Sequence, residues 1–165
     1  MKKLLIVYYS WSCGNTERTA KALQSVAGGD LVRLDTAVPY TGSYNDVVDQ
    51  GQHEVNAGFE PKLKPLPVNV ADYDVIAVGT PTWWYTMAPA VKAFLHGQNF
   101  AGKTVVPFMT NGGWPGRVIK DMKAACPGAD FACDMQVKFD SNGGDHLETP
   151  ESKINAWAQS VKALL

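Results

Sequence analysis

The chain has 165 residues, of which 45% are apolar and 19% are charged, and its formal net charge is −1. This composition excludes a disordered chain. The near-zero charge argues against a nucleic-acid binder, which usually carries a basic surface, and against a protein that steers its partners with a strong acidic field. The length predicts one domain over residues 1–165 that can bury a substantial core.

Five apolar, β-rich runs are distributed along the chain. They cover residues 4–9, 31–35, 73–80, 103–110 and 131–139. The first, third and fourth runs are almost continuously apolar, as in parallel strands that are covered on both faces. The second run is shorter and more polar, which predicts an edge strand.

Helical patterns lie between these runs. Residues 16–27, 87–96 and 115–125 place apolar side chains at helical spacing. A last helix is predicted with Thr149 as its N-cap, Pro150 at its first position and Trp157 on its buried stripe. Strands that alternate with helices predict an α/β fold with an open, doubly wound parallel sheet.

The connection between residues 36 and 72 is the exception to this alternation. It contains four prolines and a possible short helix around residues 46–56. A connection of this length is usually functional or lid-like. Its aromatic residues Tyr40, Tyr44 and Phe59 are predicted to pack rather than to contact a ligand.

Three loops are predicted to meet at one edge of the sheet, because ligands of open α/β sheets bind outside the carboxyl ends of the strands. The first strand is followed by SWSCGNTE, the third by GTPTWWYTM and the fourth by TNGGWPG. The first loop is rich in hydroxyl groups, and the other two carry tryptophans.

The first loop has the character of an anion site without a counter-charge. It precedes a predicted helix, whose N-terminus offers free backbone N–H groups and a partial positive charge. Neither the P-loop pattern nor the GxGxxG dinucleotide pattern occurs in it. Neutral donors at a helix N-terminus suit a terminal phosphate, and tryptophans on the neighbouring loops suit a flat aromatic ring. Together these features describe FMN.

The predicted cofactor-binding residues come from these three loops, and neither a catalytic side chain nor a metal ligand is predicted. They are Ser10, Trp11, Ser12, Cys13, Gly14, Asn15 and Thr16 for the phosphate, and Thr80, Pro81, Thr82, Trp83, Trp84, Thr110, Asn111, Gly112, Gly113 and Trp114 around the ring.

The pattern resembles the flavodoxin family over essentially the whole chain. The family's phosphate loop commonly reads hydroxyl-x-hydroxyl-GNT, and here Ser10-Trp11-Ser12 precedes Gly14-Asn15-Thr16. The resemblance implies a three-layer α/β/α fold with a five-stranded parallel sheet in the order 2-1-3-4-5 and with FMN at its switch point.

Three departures from the family pattern bear on function. Cys13 is an extra residue before the glycine and is expected to change the curvature of the loop. Trp84 stands where flavodoxins often have a glycine whose peptide flips to stabilise one-electron-reduced flavin, and a bulky residue makes the positive φ of that flip costly. The chain also lacks the strong acidity of low-potential carriers. The last two departures favour reductase-like, two-electron chemistry.

Several functional alternatives stay open from the sequence. The chain is predicted to be either an NAD(P)H-dependent flavin or quinone oxidoreductase, or a one-electron carrier for a protein partner. A shell that keeps the fold for interaction alone is a further alternative. A Cys13-dependent phosphatase is a remote one, because only four residues separate Cys13 from Arg18 where tyrosine phosphatases have five.

The surroundings of the protein are predicted from its cysteines and its hydropathy. Three cysteines without a CxxC pair indicate reduced thiols and a cytoplasmic location. No run is long enough to predict a membrane span. The expected partners are a redox protein or a small-molecule electron acceptor, and neither a nucleic acid nor a membrane.

Overall fold

A computed structural model describes residues 1–165. The strands are β1 (Leu4–Tyr8), β2 (Asp30–Arg33), β3 (Val75–Trp83), β4 (Thr86–Met87), β5 (Thr104–Asn111), β6 (Asp130–Phe131) and β7 (Met135–Lys138). The helices are α1 (Asn15–Ala27), α2 (Tyr44–Ala57), α3 (Pro89–Gly97), α4 (Val118–Ala124) and α5 (Glu151–Lys162), with a short 3₁₀ turn at Val70–Asp72.

The sheet is parallel in the order β2-β1-β3-β5-β6, and β7 continues the position of β6 beside β5. Since β4 is only a two-residue return strand that pairs antiparallel with the end of β3, the five positions are those predicted. The α/β fold and the 2-1-3-4-5 arrangement are confirmed. The switch point lies between β1 and β3, where ligands of such sheets bind.

Helices cover both faces of the sheet. Because alternate residues of a strand point to opposite faces, each inner strand contributes side chains to both core clusters. In β1, Leu5 and Val7 belong to the core cluster that includes residues of α3 and α4. Leu4 and Ile6 belong to the cluster that includes residues of α1 and α5. Both faces being buried explains why the inner strands read as continuous apolar runs.

The fifth predicted strand is interrupted rather than continuous. Cys133 adopts a positive φ of 54° and separates β6 from β7. Its carbonyl accepts a 2.7 Å hydrogen bond from Nε1 of Trp157. Trp157 is buried in the core, as predicted, and its indole N–H supports this irregular backbone.

Several helix boundaries differ from the prediction. The helices predicted over residues 87–96 and 115–125 are Pro89–Gly97 and Val118–Ala124. The helix in the long connection begins at Tyr44 rather than near residue 46 and runs for 14 residues, because Ser43 and Asp46 form a reciprocal capping box. The last helix begins at Glu151, one residue later than predicted. The hydroxyl of Thr149 does not cap it but accepts the backbone N–H of Lys138 at 2.8 Å.

None of the helices combines the length and the apolar character that crossing a membrane requires.

Candidate functional site

A cleft of about 440 Å³ opens at the carboxyl edge of the sheet, beside the switch point. The loops after β1, β3 and β5 line it, as the sequence predicts, and two further segments contribute: one face of α2 and the loop after β7. A volume of this size lies within the usual range of small-molecule sites, about 300–1,000 Å³.

The floor of the cleft is the N-terminus of α1. Gly14 precedes the helix in a left-handed conformation, with φ 75°, and no side chain caps the helix at this end. The N–H groups of the first turn are therefore free to bind an anion. No lysine or arginine lines the cleft, and the side chain that carries a charge there at neutral pH is the carboxylate of Asp140.

Ser10 is buried at the end of β1, with 2% of its surface exposed. Its Oγ has no hydrogen-bond partner in the protein. A buried hydroxyl without a partner is unfavourable by about 1–3 kcal/mol, so such a group is expected to have a function or a missing partner. Ser10 lies in the loop that leads to the N-terminus of α1.

A chain of hydroxyl groups joins the three loops beneath the cleft. The Oγ1 atoms of Thr16 and Thr110 are 2.8 Å apart in a buried contact. Thr82 Oγ1 donates to the carbonyl of Thr110 at 2.9 Å. Thr80 has a different role, since its Oγ1 accepts the N–H of Ala88 and donates to the carbonyl of Pro81. These contacts fix the spacing of the loops before any ligand arrives.

The aromatic side chains divide into a packed set and an exposed set. Trp83 is held edge-on by Tyr9, Trp11 and Tyr40, with ring centroids 5.1–6.4 Å apart. Trp84 and Trp114 are 37% and 58% exposed. All three tryptophans at positions 83, 84 and 114 border the cleft, but Trp83 is enclosed by other rings, whereas Trp84 and Trp114 are the more exposed.

Tyr44 stacks on Trp11, with ring centroids 5.8 Å apart. It is nevertheless 55% exposed and lines the cleft, whereas the sequence predicts packing rather than a ligand contact. Tyr44 lies there because the capping box starts α2 at this residue. Gly51 lies further along the same helix, where an added Cβ would come within 3.1 Å of the ring of Trp83. The long connection after β2 therefore forms one wall of the cleft.

Trp84 adopts a positive φ, although this conformation is costly for a bulky residue. Trp84 and Tyr85 form the two-residue turn between β3 and β4, with φ of 51° and 68°. Two consecutive positive φ values are the requirement of a type I′ hairpin turn. The strain is offset by anchors, since Trp84 Nε1 donates to the carbonyl of Val48 and Arg117 N–H donates to that of Tyr85. A bulky residue at position 84 thus gives no reason to prefer two-electron chemistry.

The loop after β7 forms a further wall, which was not predicted. Its carbonyls at Gly143 and Gly144 accept hydrogen bonds from Cys13 Sγ at 3.2 Å and Asn15 Nδ2 at 3.0 Å. Cys13, the extra residue, thereby ties the first loop to this last one. The sequence contains a signal for this wall, a polar, glycine-containing stretch directly after the last predicted strand. In a parallel sheet such a stretch lies at the same edge as the other three loops.

The phosphatase alternative finds no support in this arrangement. Arg18 does not line the cleft. Its guanidinium contacts the carbonyl of Asp145 at 3.4 Å and the carboxylate of Glu151 at 3.5 Å. The arginine of a cysteine-dependent phosphatase has to reach the bound phosphate, whereas this one is held at the side of α5.

Comparison with known proteins agrees with this architecture. The family model described as Flavodoxin matches residues 3–156. The chain belongs to the flavodoxin family. A protein of Bacteroides eggerthii DSM 20697 assigned as a flavoprotein is 31% identical, with a TM-score of 0.77 over 99% of both chains.

Two further proteins are similar to this flavodoxin-family chain. A flavoprotein of Lactobacillus acidophilus NCFM, solved in complex with FMN, has a TM-score of 0.71 at 20% identity and covers 96% of this chain and 99% of its own. The NAD(P)H dehydrogenase (quinone) 3 of Rhizobium meliloti (strain 1021) is 35% identical over 100 residues, which are 58% of this chain. The match covers 43% of that relative's length.

Most of the predicted site residues border the cleft. Those that do are Trp11, Ser12, Cys13, Asn15, Thr16, Pro81, Thr82, Trp83, Trp84, Thr110, Asn111, Gly112 and Trp114. Ser10, Gly14, Thr80 and Gly113 are not among the lining residues. Sequence analysis missed the lining residues Tyr44, Val47, Val48, Gly51, Phe139, Asp140, Ser141, Asn142, Gly143 and Gly144.

Asp140 organises the unpredicted wall. Its carboxylate accepts the backbone N–H groups of Asn142, Gly144 and His146 at 2.9–3.0 Å. The N–H of Gly144, followed by that of His146, holds the pKa of Asp140 below its ordinary value. The carboxylate therefore stabilises the loop fully above the ordinary pKa of about 3.9, and this contribution is lost as the pH falls through the lowered pKa.

Asp140→Ala is expected to speed amide hydrogen exchange in residues 140–146 at pH 7, because three backbone donors lose their acceptor. Asp140→Asn should have a smaller effect, since its amide oxygen can still accept from Asn142 and Gly144, which both use Oδ1. The neighbouring Asp145→Asn is the matched control and should leave the exchange rates unchanged. Equal rates in Asp140→Ala and the wild-type protein would contradict the role of this carboxylate.

Proposed function

We propose that this chain binds one FMN non-covalently in the cleft and transfers electrons or hydride through it. The observation that carries the proposal is the uncapped N-terminus of α1, which lies beside a cleft bordered by tryptophans and free of basic side chains. A phosphate needs donors, and backbone N–H groups with neighbouring hydroxyls supply them without a lysine or an arginine.

In this proposal the first loop holds the phosphate and the tryptophan-bearing loops hold the ring. The phosphate donors are the backbone N–H groups of the first turn of α1 and the hydroxyls of Ser10, Ser12 and Thr16, with the amide of Asn15 fixed by Gly144. Trp84 and Trp114 cover the ring. The FMN complex of the Lactobacillus flavoprotein supports this choice of ligand at the level of the shared fold.

Bound FMN supplies the redox chemistry, and the chain supplies its electrostatic setting. The lining contains no cation, and it contains the carboxylate of Asp140. An apolar site with a nearby negative charge disfavours an anionic reduced ring and so lowers the reduction potential. The residues of the chain therefore position the flavin and tune its potential, and none of them is proposed as an acid or a base.

We favour a reductase that delivers electrons to a small molecule such as a quinone over a dedicated carrier. The name of the Rhizobium relative supports this class, although the match covers less than half of that protein. The net charge of −1 supports it too, because carriers that dock electrostatically need a strong charged surface. The carrier with a protein partner remains the second candidate.

Stepwise reduction of the FMN complex distinguishes the two candidates. A reductase should take up two electrons in one step and be reoxidised rapidly by a soluble benzoquinone. A carrier should show two separated one-electron steps and slow reoxidation by the quinone. Two separated steps with slow reoxidation would overturn the reductase assignment while leaving FMN binding intact.

Ser10→Ala provides an independent test of the phosphate assignment. The free energy of unfolding of the FMN-free protein should stay equal or rise, because the variant removes a buried hydroxyl without a partner. The affinity for FMN should fall, because the phosphate loses a donor. Chemical denaturation and FMN titration measure the two effects. A less stable apoprotein with unchanged FMN affinity would show that Ser10 has a structural partner instead.

A further inference from the structure

Arg33 lies at the end of the edge strand β2, outside every lining segment of the cleft. Its guanidinium nevertheless contacts the first loop. Nη2 donates to the carbonyl of Ser10 at 2.7 Å, and Nη1 donates to Glu17 Oε2 at 2.8 Å. Its Nε donates to Oδ1 of Asp35, two residues further along the chain, at 3.3 Å.

These contacts lie at the two ends of the first loop. The Ser10 carbonyl is where the chain leaves β1, and Glu17 is in the first turn of α1. Because both partners bind one planar guanidinium, their separation is fixed by a rigid group. Ser12 and Gly14, which lie between them, have positive φ values of 69° and 75°. At Ser12 this conformation is costly for a residue other than glycine and has to be held by its surroundings.

Glu17 brings a second reason for an arginine at this point. A carboxylate in the first turn interacts favourably with the helix dipole, but it repels an anion that is bound at the same end of the helix. Its oxygens are engaged by Lys21 Nζ at 3.0 Å, Tyr8 OH at 3.0 Å and Arg33. Lys21 contacts Glu17 alone, whereas Arg33 also reaches the Ser10 carbonyl, so the two cations have separable roles.

We infer that Arg33 is a positioning residue of the phosphate loop, which acts through the Ser10 carbonyl and makes the site prefer phosphorylated flavin. The inference rests on the proposed function. An exposed ion pair alone contributes little, roughly 0–1 kcal/mol. Arg33 differs from a surface ion pair in that it also donates a hydrogen bond to the Ser10 carbonyl, and the positive charge of the donor strengthens that bond.

The test compares FMN with riboflavin, which has the same ring and no phosphate, by tryptophan fluorescence quenching. Arg33→Met is expected to weaken FMN binding by up to about tenfold, because binding must then order the loop that this charge-assisted hydrogen bond otherwise holds, and to leave riboflavin affinity unchanged. Arg33→Lys keeps the charge without the fork and should fall between Arg33→Met and the wild-type protein. Lys21→Met, the matched control, should leave both affinities close to the wild-type values.

A double variant separates position from charge. The double variant Glu17→Gln/Arg33→Met also removes the carboxylate that Arg33 neutralises. If FMN affinity recovers from its value in Arg33→Met, Arg33 acts only by compensating the charge of Glu17, and the inference is overturned. Equal loss of FMN and riboflavin affinity in Arg33→Met, or loss of neither, would overturn it as well. A wild-type protein that binds no FMN overturns the proposed function and this inference together, and the Arg33 variants are then not needed.

Discussion

Replacing Ser12 and Thr16 together by alanine is expected to weaken FMN binding about 10²–10⁴-fold, because each loses a donor to a charged phosphate that is worth about 1.5–3 kcal/mol. Thr16 already contacts the Thr110 hydroxyl at 2.8 Å. A hydroxyl both donates and accepts, so the contact with Thr110 leaves capacity for a second bond. Riboflavin affinity should change much less, since the lost partners face the phosphate.

Thr19→Ala is the matched control for this double variant. Thr19 lies on the same helix and is buried, but its Oγ1 donates to the carbonyl of Asn15 at 3.0 Å and not toward the cleft. FMN affinity in this variant should stay near the wild-type value. If the double variant binds FMN as tightly as the wild-type protein, the phosphate does not lie at the N-terminus of α1.

The second large effect is expected from Gly116→Ala, which should lower the free energy of unfolding by about 2–4 kcal/mol, the sum of strain at a positive φ and overpacking. Gly116 has φ 53°, and an added Cβ would lie 2.2 Å from the backbone oxygen of Tyr85. The clash moves the hairpin turn that carries Trp84 relative to the loop that carries Trp114. FMN affinity should therefore fall together with stability.

Gly102→Ala separates these two causes. Gly102 also has a positive φ, 78°, but an added Cβ there meets no atom within 4 Å. It should cost only the conformational term, about 1 kcal/mol, and leave FMN affinity intact. Chemical denaturation of both variants checks the difference. Equal destabilisation by the two substitutions would show that a clash between the added Cβ and Tyr85 does not contribute.

The sheet was predictable because its pattern is local. Continuous apolar runs identify strands buried on both faces, and their alternation with helices predicts a parallel sheet. The order of the strands was implied only by the resemblance to the flavodoxin family. The three loops at the carboxyl edge followed from the parallel direction of the strands. The interruption at Cys133 was not predictable, since it depends on a hydrogen bond from the distant Trp157.

The walls of the cleft depend on contacts between distant segments, and the sequence analysis missed them for that reason. Asp140 shapes its loop through backbone donors, while Cys13 and Asn15 attach that loop across about 130 residues of chain. The positive φ values of Trp84 and Tyr85 oppose their local preference, and the turn is held by hydrogen bonds from Trp84 to Val48 and from Arg117 to Tyr85. Tertiary contacts of this kind override local propensity at functional sites.

The most direct test of the account is a calorimetric titration of the purified chain with FMN, repeated with riboflavin. We expect saturation at one FMN per chain, quenching of tryptophan fluorescence in parallel, and tighter binding of FMN than of riboflavin. Equal affinity for the two flavins would contradict the phosphate site at α1, and the absence of saturable binding would contradict the proposed function itself.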